Sequence, residues 1–164
     1  MASSPAIGLT ETEVERRLRL KVEGTFTIDA ARAHVWDMLM APETLAGCIP
    51  GCESFEPVDE DTYNIAMRVG VAAVRGNYTG SVTIADKQSL ESYRMVVQGK
   101  GRGGSVRGEG VLTLADIDGG TQVSIVGDAH VTGVVARVGQ RLMGNASRML
   151  MNQFFNCLKS KIEN

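Results

Sequence analysis

The sequence predicts a single α+β domain in which a curved antiparallel sheet of about seven strands packs around one long C-terminal helix. Three observations predict this fold. Apolar and polar residues alternate in the first strand-like run, six further strand-like runs are joined by short turn sequences, and one long helical stretch ends the chain. With 164 residues, of which 43% are apolar, the chain is long enough for one domain with a substantial core.

The first strand follows an appendage. Residues 1–17 combine small and helix-breaking residues with charged ones, so we expect a partly disordered arm there. The folded domain is expected to cover residues 18–164. From Leu18 to Ile28 every second residue is apolar or small, which predicts a strand with one buried face.

Two short helices are expected after this strand. Asp29 is a candidate N-cap, because its carboxylate can accept hydrogen bonds from free backbone amides, for a helix over Ala30–Met40. Pro42 permits a new helix start, and a second helix over Leu45–Ile49 should end at Pro50 and Gly51.

The middle of the chain is a succession of strand-like runs separated by turn sequences of hairpin length. These connections leave no room for crossover helices, so the sheet should be antiparallel. The runs are roughly Glu53–Val58, Thr62–Val74, Tyr78–Asp86, Ser92–Gly99, Ser105–Ala115 and Thr121–Val131.

One long helix is expected over Val134–Lys161, with an apolar stripe that covers the open face of the sheet. The stripe predicted from a spacing of 100° per residue consists of Val135, Val138, Leu142, Ala146, Met149, Gln153 and Cys157. The opposite side of the helix should carry a basic row of Arg137, Arg141, Arg148 and Lys159. Such a row is either solvated or a surface for an acidic partner or anionic lipid headgroups.

Glycine is unusually frequent near the end of the sheet. Twelve of the 19 glycines lie between Gly99 and Gly144. Those in or beside two adjacent strands, which are Gly99, Gly101, Gly108 and Gly110, allow the sheet to bend or a ligand to come close. Gly139 falls within the predicted stripe, where a missing side chain either leaves a cavity or permits close contact between helix and sheet.

Methionine and one glutamine favour a cavity further. Met38, Met40, Met67, Met95, Met143, Met149 and Met151 provide either adaptable walls for a flat apolar ligand or ordinary core packing. Gln153 falls on the predicted stripe, so its amide needs a partner, either a strand carbonyl or a ligand carbonyl.

Several motifs do not support other functions. Residues 99–104 satisfy G-x-G-x-x-G, but a strand follows where a dinucleotide site needs a helix. Cys48 and Cys52 lack further ligands for a metal, so we expect structural cysteines and no metal site. His34, Asp128 and His130 are the candidates for acid–base chemistry, without a recurring nucleophile–base spacing.

The overall charge and the cysteines limit partners and compartment. Seventeen basic and 19 acidic residues give a formal net charge of −2, which disfavours nucleic acid as a partner. No apolar run approaches the roughly 20 residues of a membrane span, and the first residues lack a signal-peptide pattern. Three cysteines fit a reducing compartment. We therefore expect a cytoplasmic protein.

Several segments together resemble a known family. They are Phe26–Ala30, Val35-Trp36, Pro42–Ala46, Cys48-Ile49-Pro50-Gly51-Cys52, Gly99–Gly101, Gly108–Gly110, Gly119–Thr121, Gly139–Leu142 and Gln153–Phe155. Over about Leu18–Leu158 the sequence resembles CoxG, a carbon monoxide dehydrogenase subunit whose group belongs to the START-like (SRPBCC) superfamily. The Cys-Ile-Pro-Gly-Cys turn and the later glycines are the more specific part of this resemblance.

The resemblance implies a helix-grip fold with a deep apolar cavity between the sheet and the last helix. It also implies a non-enzymatic accessory protein of a molybdenum hydroxylase such as aerobic carbon monoxide dehydrogenase. The implied ligand is menaquinone or another isoprenoid quinone, with no covalently bound cofactor. Membrane recruitment of the enzyme implies peripheral contact with the cytoplasmic face of the inner membrane.

The predicted ligand-binding residues are Trp36, Met40, Met67, Met95, Gly139, Leu142, Met143, Gln153 and Phe154. The predicted partner or membrane surface is the basic row. Two alternatives stay open at this point: a ligand-free assembly or docking factor for the same enzyme, and a START-like cyclase or hydrolase, the latter by analogy of fold alone.

Overall fold

The computed structural model describes residues 17–163, so nearly all of the arm expected over residues 1–17 lies outside the described residues. Seven strands and three α-helices form in the order expected from the sequence. They are β1 (Arg17–Ile28), α1 (Arg32–Met40), α2 (Pro42–Cys48), β2 (Cys52–Pro57), β3 (Thr62–Val69), β4 (Gly76–Gln88), β5 (Ser92–Gly101), β6 (Gly104–Ile117), β7 (Gly120–Gly133) and α3 (Gly139–Glu163).

The strands form one antiparallel sheet in the order β1-β7-β6-β5-β4-β3-β2. Strands β2 to β7 follow one another as hairpins, and β1 pairs with β7, so that Leu20 lies opposite Ala129. This confirms the predicted fold class: a curved antiparallel sheet holds a long C-terminal helix, and two short helices follow the first strand.

The inner face of the sheet carries the apolar residues that the alternating pattern predicts. In β1, Leu20 and Ile28 are buried, whereas Arg19 and Lys21 are exposed on the outer face. The main core lies between this inner face, α1 and the second half of α3. Its most fully buried side chains are Ile28, Val35, Leu39, Tyr93, Val123, Phe155 and Leu158.

The helix α1 begins later than predicted, and Asp29 does not cap it. The N-cap is Ala31, which makes no side-chain cap hydrogen bond. A tight turn occupies the chain first: the Ala30 amide donates to the Ile28 carbonyl at 2.9 Å, and the Thr121 hydroxyl donates to the Ala30 carbonyl at 2.7 Å. The buried Thr121 therefore fixes the turn, and the helix starts only at Arg32.

The predicted C-terminal helix is interrupted near its start. Val134–Val138 form a 3₁₀ turn, and α3 begins at Gly139, which has φ of 85°. An L-residue rarely adopts this backbone angle, so glycine is favoured here for conformation. A Cβ at Gly139 would meet no atom within 4 Å. Gly139 therefore opens α3 instead of lying within the helix, and the prediction that it lies mid-helix is wrong.

The buried stripe of α3 also differs from the predicted one. Met143, Ala146, Phe155 and Leu158 are buried, and Phe155 stacks on Phe26 with ring centroids 4.1 Å apart. Because the α-helical spacing starts anew at Gly139, a stripe extended from Val135 through Gly139 has the wrong phase. Leu142 and Met149 are accordingly 50% and 48% exposed, and Gln153 is exposed as well, whereas Ala146 is buried as predicted.

Two smaller features also depart from expectation. Strand β3 ends at Val69 instead of Val74, and Ala72–Val74 form a 3₁₀ turn before β4. Cys48 at the end of α2 forms a disulfide with Cys157 of α3, with Cα atoms 5.4 Å apart. The sparse cysteines predicted a reducing compartment, and such a compartment disfavours a disulfide. Their separation of 109 residues gives no sequence signal for it. Cys52 has a free thiol.

Candidate functional site

An apolar pocket of about 380 Å³ lies between the inner face of the sheet, the end of α2 and the middle of α3. Its size falls within the usual range of small-molecule sites. Each of the seven strands and all three helices contribute to its wall. The lining residues are Val22, Leu39, Leu45, Ile49, Pro50, Phe55, Met67, Val82, Ile84, Tyr93, Met95, Val97, Val106, Gly108, Glu109, Gly110, Leu112, Ile125, Gly127, Asp128, Ala129, Leu150, Met151, Phe154 and Phe155.

Alternation along each strand explains why these residues meet. In β5, Tyr93, Met95 and Val97 all face inward because side chains two residues apart share a face. The register places Met95 opposite Ile84 of β4 and opposite Gly110 of β6, so the wall is continuous across three strands.

Three glycines of β6 and β7 line the pocket with backbone alone. Gly110 of β6 lies directly opposite Gly127 of β7, and Gly108 lies opposite Ala129. A Cβ at Gly127 would collide with the backbone oxygen of Glu109, so the two strands approach more closely than a side chain allows. We call Gly108, Gly110 and Gly127 the glycine floor. The sequence left open whether the glycines of this region bend the sheet or let a ligand come close, and the glycine floor leaves space in the pocket for such an approach.

The helical side of the pocket is formed by α3 and by the residues that follow α2. Leu150, Met151, Phe154 and Phe155 project from α3 toward the sheet, and Ile49 and Pro50 close the end next to α2. A smaller groove of about 210 Å³ adjoins this end and shares Pro50 and Leu150 with the pocket. Met149 and Gln153 line that groove. The groove and the pocket therefore share part of their walls, at Pro50 and Leu150.

The structure brings some of the predicted ligand-binding residues together and separates others. Met67, Met95 and Phe154 line the pocket. Trp36 and Met40 pack in the core, and Met143 belongs to a second core cluster with Leu20, Val131 and Ala136. Leu142 is exposed, Gly139 opens α3, and Gln153 lies in the adjoining groove. Contact of any of these residues with a ligand stays a prediction.

Sequence reasoning missed most of the wall, including Gly127, Leu112, Tyr93 and Phe155. Each of them sits at an inward position of its strand or helix, and the alternating pattern of β5 to β7 could have indicated the three strand residues. Strand register and the phase of α3 decide which of the inward residues surround the pocket. Neither can be predicted from a local sequence pattern.

The titratable groups of the pocket wall face away from it, with one exception. Glu109 and Asp128 contribute backbone, because their side chains form ion pairs on the outer face with Arg94 at 3.3 Å and Arg19 at 3.0 Å. The exception is Tyr93, which is 2% exposed. Burial raises the pKa of its hydroxyl well above the usual value, so the group stays protonated at neutral pH.

The other candidates for acid–base or metal chemistry lie apart from the pocket. His34 and His130 are exposed and do not line it. Burial raises the pKa of the Cys52 thiol, which keeps it protonated and weakly reactive. Within residues 17–163, no three His, Cys, Asp or Glu side chains come together as a metal site.

The predicted basic row is only partly one surface. Arg141 and Arg148 are exposed on α3 and Lys159 is half-buried, whereas Arg137 belongs to the 3₁₀ turn. Arg148 hydrogen-bonds to Asn145. None of the four forms an ion pair with a described residue. None of the helices in this part of the chain combines the length and the apolar character needed to cross a bilayer.

A curved antiparallel sheet that holds a long C-terminal helix over an apolar pocket defines the START-like helix-grip class. Solved structures agree. A START superfamily protein from Mycobacterium smegmatis has a TM-score of 0.68 at 9% identity, over 87% of this chain and 97% of that one. The Zhui aromatase/cyclase from Streptomyces sp. R1128 has a TM-score of 0.63 at 15% identity, over 89% and 94%. At such identities the likeness shows the fold alone.

Two further comparisons are more specific. The family model of CoxG, a carbon monoxide dehydrogenase subunit, matches residues 24–163, and the chain belongs to this family. A conserved protein from Geobacillus kaustophilus has a TM-score of 0.85 at 35% identity, over 89% of this chain and 95% of that one. The comparison with curated proteins found no match. The resemblance inferred from the sequence is thereby confirmed.

Proposed function

We propose that this protein is a non-enzymatic accessory protein that binds an isoprenoid quinone, such as menaquinone, in the pocket between the sheet and α3. In this role it serves electron transfer from, or membrane recruitment of, a molybdenum hydroxylase of the carbon monoxide dehydrogenase type. The observation that carries the proposal is the apolar pocket of about 380 Å³, whose side chains are almost all hydrocarbon, aromatic or thioether. The family name supports the choice of enzyme.

The composition of the wall suits this class of ligand. Met67, Met95 and Met151 are flexible and polarisable, so they can adapt to a flat ring. A prenyl tail gains about 25 cal/mol for each Å² of apolar surface that leaves water, which supplies micromolar affinity without any charge on the ligand. The groove shares Pro50 and Leu150 with the pocket, and it is the place where we expect a long tail to reach the surface.

The direct test is to identify what the purified protein carries and binds. Native mass spectrometry and solvent extraction should recover an apolar molecule, and titration with a menaquinone of two isoprene units should quench the fluorescence of Trp36. Trp36 is the sole tryptophan and its ring lies 5.8 Å from that of Tyr93 in the pocket wall, so it reports on the site. Protein that neither carries an apolar molecule nor binds the quinone contradicts the proposal.

A second candidate function is docking to the enzyme or to the cytoplasmic membrane face through the basic row. It is favoured by the exposed guanidinium groups of Arg141 and Arg148, which have no ion-pair partner among the described residues. Pull-down with the dehydrogenase and flotation with anionic vesicles should both be compared for the wild type and the Arg141→Glu, Arg148→Glu double variant. Unchanged capture in both assays would remove this candidate, whatever the pocket binds.

A cyclase or hydrolase activity has less support. The Zhui aromatase/cyclase shares the fold at 15% identity, and the histidines that could act as acid or base stand outside the pocket.

A further inference from the structure

Tyr93 is a buried polar group in the wall of the pocket without a polar partner. It is 2% exposed, and within the described part of the chain no group accepts a hydrogen bond from its hydroxyl. Two other hydroxyls that are buried or partly buried are paired with backbone: Tyr78 donates to the Val74 carbonyl at 2.7 Å and Thr121 donates to the Ala30 carbonyl at 2.7 Å. Tyr93 differs from these two hydroxyls, and it is more deeply buried than Tyr63, which is 9% exposed.

The surroundings of Tyr93 explain why its own chain leaves it unpaired. The side chains that share this wall include Ile84, Met95 and Leu112, which offer no strong acceptor. The nearest aromatic neighbour is Trp36, whose ring meets that of Tyr93 edge to face at 82°. An indole N–H only donates hydrogen bonds, so it cannot satisfy a hydroxyl donor.

A buried hydroxyl without a partner is unfavourable for folding, and phenylalanine would fill nearly the same space without that cost. An acceptor on a molecule that enters the pocket would remove this cost. We propose that the Tyr93 hydroxyl is the polar anchor of the pocket and donates a hydrogen bond to a carbonyl oxygen of an otherwise apolar ligand. This inference rests on the proposed function and deepens it, because it names the chemistry by which a quinone ring is preferred over a hydrocarbon.

The anchor also sets the orientation of the ligand. Tyr93 lies next to α1, since its ring packs against that of Trp36, while the groove shares Pro50 and Leu150 with the pocket. A quinone ring held at Tyr93 leaves its prenyl tail free to follow the apolar side chains of α3. The raised pKa of Tyr93 keeps the hydroxyl a donor throughout the physiological range.

The test compares wild type and Tyr93→Phe with two probes that differ only in the acceptor. The first is a menaquinone with two isoprene units, and the second is the naphthalene hydrocarbon that carries the same methyl and prenyl groups. Affinities are measured by displacement of the neutral dye N-phenyl-1-naphthylamine. Tyr93→Phe should weaken the quinone roughly three- to tenfold, as loss of one hydrogen bond does, and leave the hydrocarbon unchanged. The infrared carbonyl band of the bound quinone should shift to higher frequency in the variant.

Tyr63→Phe is the matched control. Tyr63 stacks on Phe55 with ring centroids 4.6 Å apart but does not line the pocket, so its loss of a hydroxyl should change neither affinity. Equal quinone affinity of Tyr93→Phe and wild type would overturn the inference while leaving the proposed function standing. An equal loss for both probes would also overturn it, since that result means packing. Failure of the wild type to bind either probe would overturn the proposed function itself.

Discussion

Gly110 and Gly127 face each other across β6 and β7, and at this point the wall of the pocket consists of backbone alone. The same two residues line a groove on the outer face between Arg19, Arg94 and Glu109, so their backbone separates the pocket from that groove. A Cβ at Gly110 would lie 3.3 Å from the Val126 carbonyl oxygen, which is tight but can be accommodated by a small shift. At Gly127 the Cβ would meet backbone that cannot move easily.

This difference makes Gly110 the residue at which pocket volume can be tested. Gly110→Val should lower quinone affinity at least about tenfold, with Gly110→Ala in between, because the new methyl groups occupy the glycine floor. Valine is also favoured in a strand, so the fold should persist. Dye displacement measures the affinity, and far-ultraviolet circular dichroism checks the sheet. Full affinity in Gly110→Val would place the ligand elsewhere.

Gly139→Ala is the control at the residue scale. Because Gly139 has a positive φ and open space around its Cα, alanine there should reduce the free energy of unfolding by about 1 kcal/mol and leave quinone affinity unchanged. Loss of affinity without loss of stability would restore the interpretation of Gly139 as a cavity residue.

Among the secondary-structure elements, α2 and α3 are the pair held by a covalent bond. The Cys48–Cys157 disulfide joins the end of α2 to the last turns of α3, and the segment that follows α2 closes the pocket through Ile49 and Pro50. A disulfide that closes a loop of 109 residues restricts the unfolded chain strongly. In a reducing compartment such a bond is reduced, and we expect the reduced protein to be less stable than the disulfide-bonded one.

We predict that reduction, or Cys157→Ser, lowers the free energy of unfolding by about 2–5 kcal/mol. Urea denaturation with and without a phosphine reductant measures this. Cys52→Ser is the control, because Cys52 is a free thiol and its variant should remain sensitive to the reductant. Wild-type protein with identical denaturation midpoints under both conditions would argue against the disulfide.

For the molecule as a whole, the buried Tyr93 also links stability to alkaline pH. A tyrosine of the unfolded chain titrates near pH 10, and burial raises the pKa of Tyr93 above that value. Below about pH 10 the Tyr93 hydroxyl keeps its proton in both the folded and the unfolded protein, so its contribution to stability is fully present. As pH rises above that point the unfolded state loses its proton first, and stability falls until the folded hydroxyl ionises as well.

The predicted outcome is that wild type loses more stability than Tyr93→Phe between pH 9 and about pH 11. Urea denaturation of both proteins at matched pH values gives the difference between their free energies of unfolding. Taking this difference removes the contribution of the lysines and of the other tyrosines. A difference that does not vary with pH would mean that Tyr93 is solvated in the folded protein.

The order and type of the elements could be predicted because they depend on local patterns. The alternation from Leu18 to Ile28 requires a strand with one buried face whatever else the chain does, and hairpin-length connections require an antiparallel sheet. The helix over most of residues 139–161 and the short helices after β1 follow from the same kind of local spacing.

The composition of the pocket wall could be predicted only in part. Met67, Met95 and Phe154 were identified because their residue types suit an apolar ligand, and they do line the pocket. The positions taken from helix phase, Leu142 and Gln153, fall outside because the phase starts anew at Gly139.

By itself, the sequence determined the α+β class, the antiparallel hairpins and the long final helix, since each rests on residues close together in the chain, and it determined the family through short motifs spread along the chain. Only the tertiary structure decided which glycines lie opposite each other in β6 and β7, which face of α3 is buried, and that Cys48 meets Cys157. It also decided that Tyr93 is buried in the pocket wall with no hydrogen-bond partner among the described residues. These features arise where segments distant in the chain come into contact. The contacts between such segments stabilise them, and a local sequence pattern does not predict those contacts.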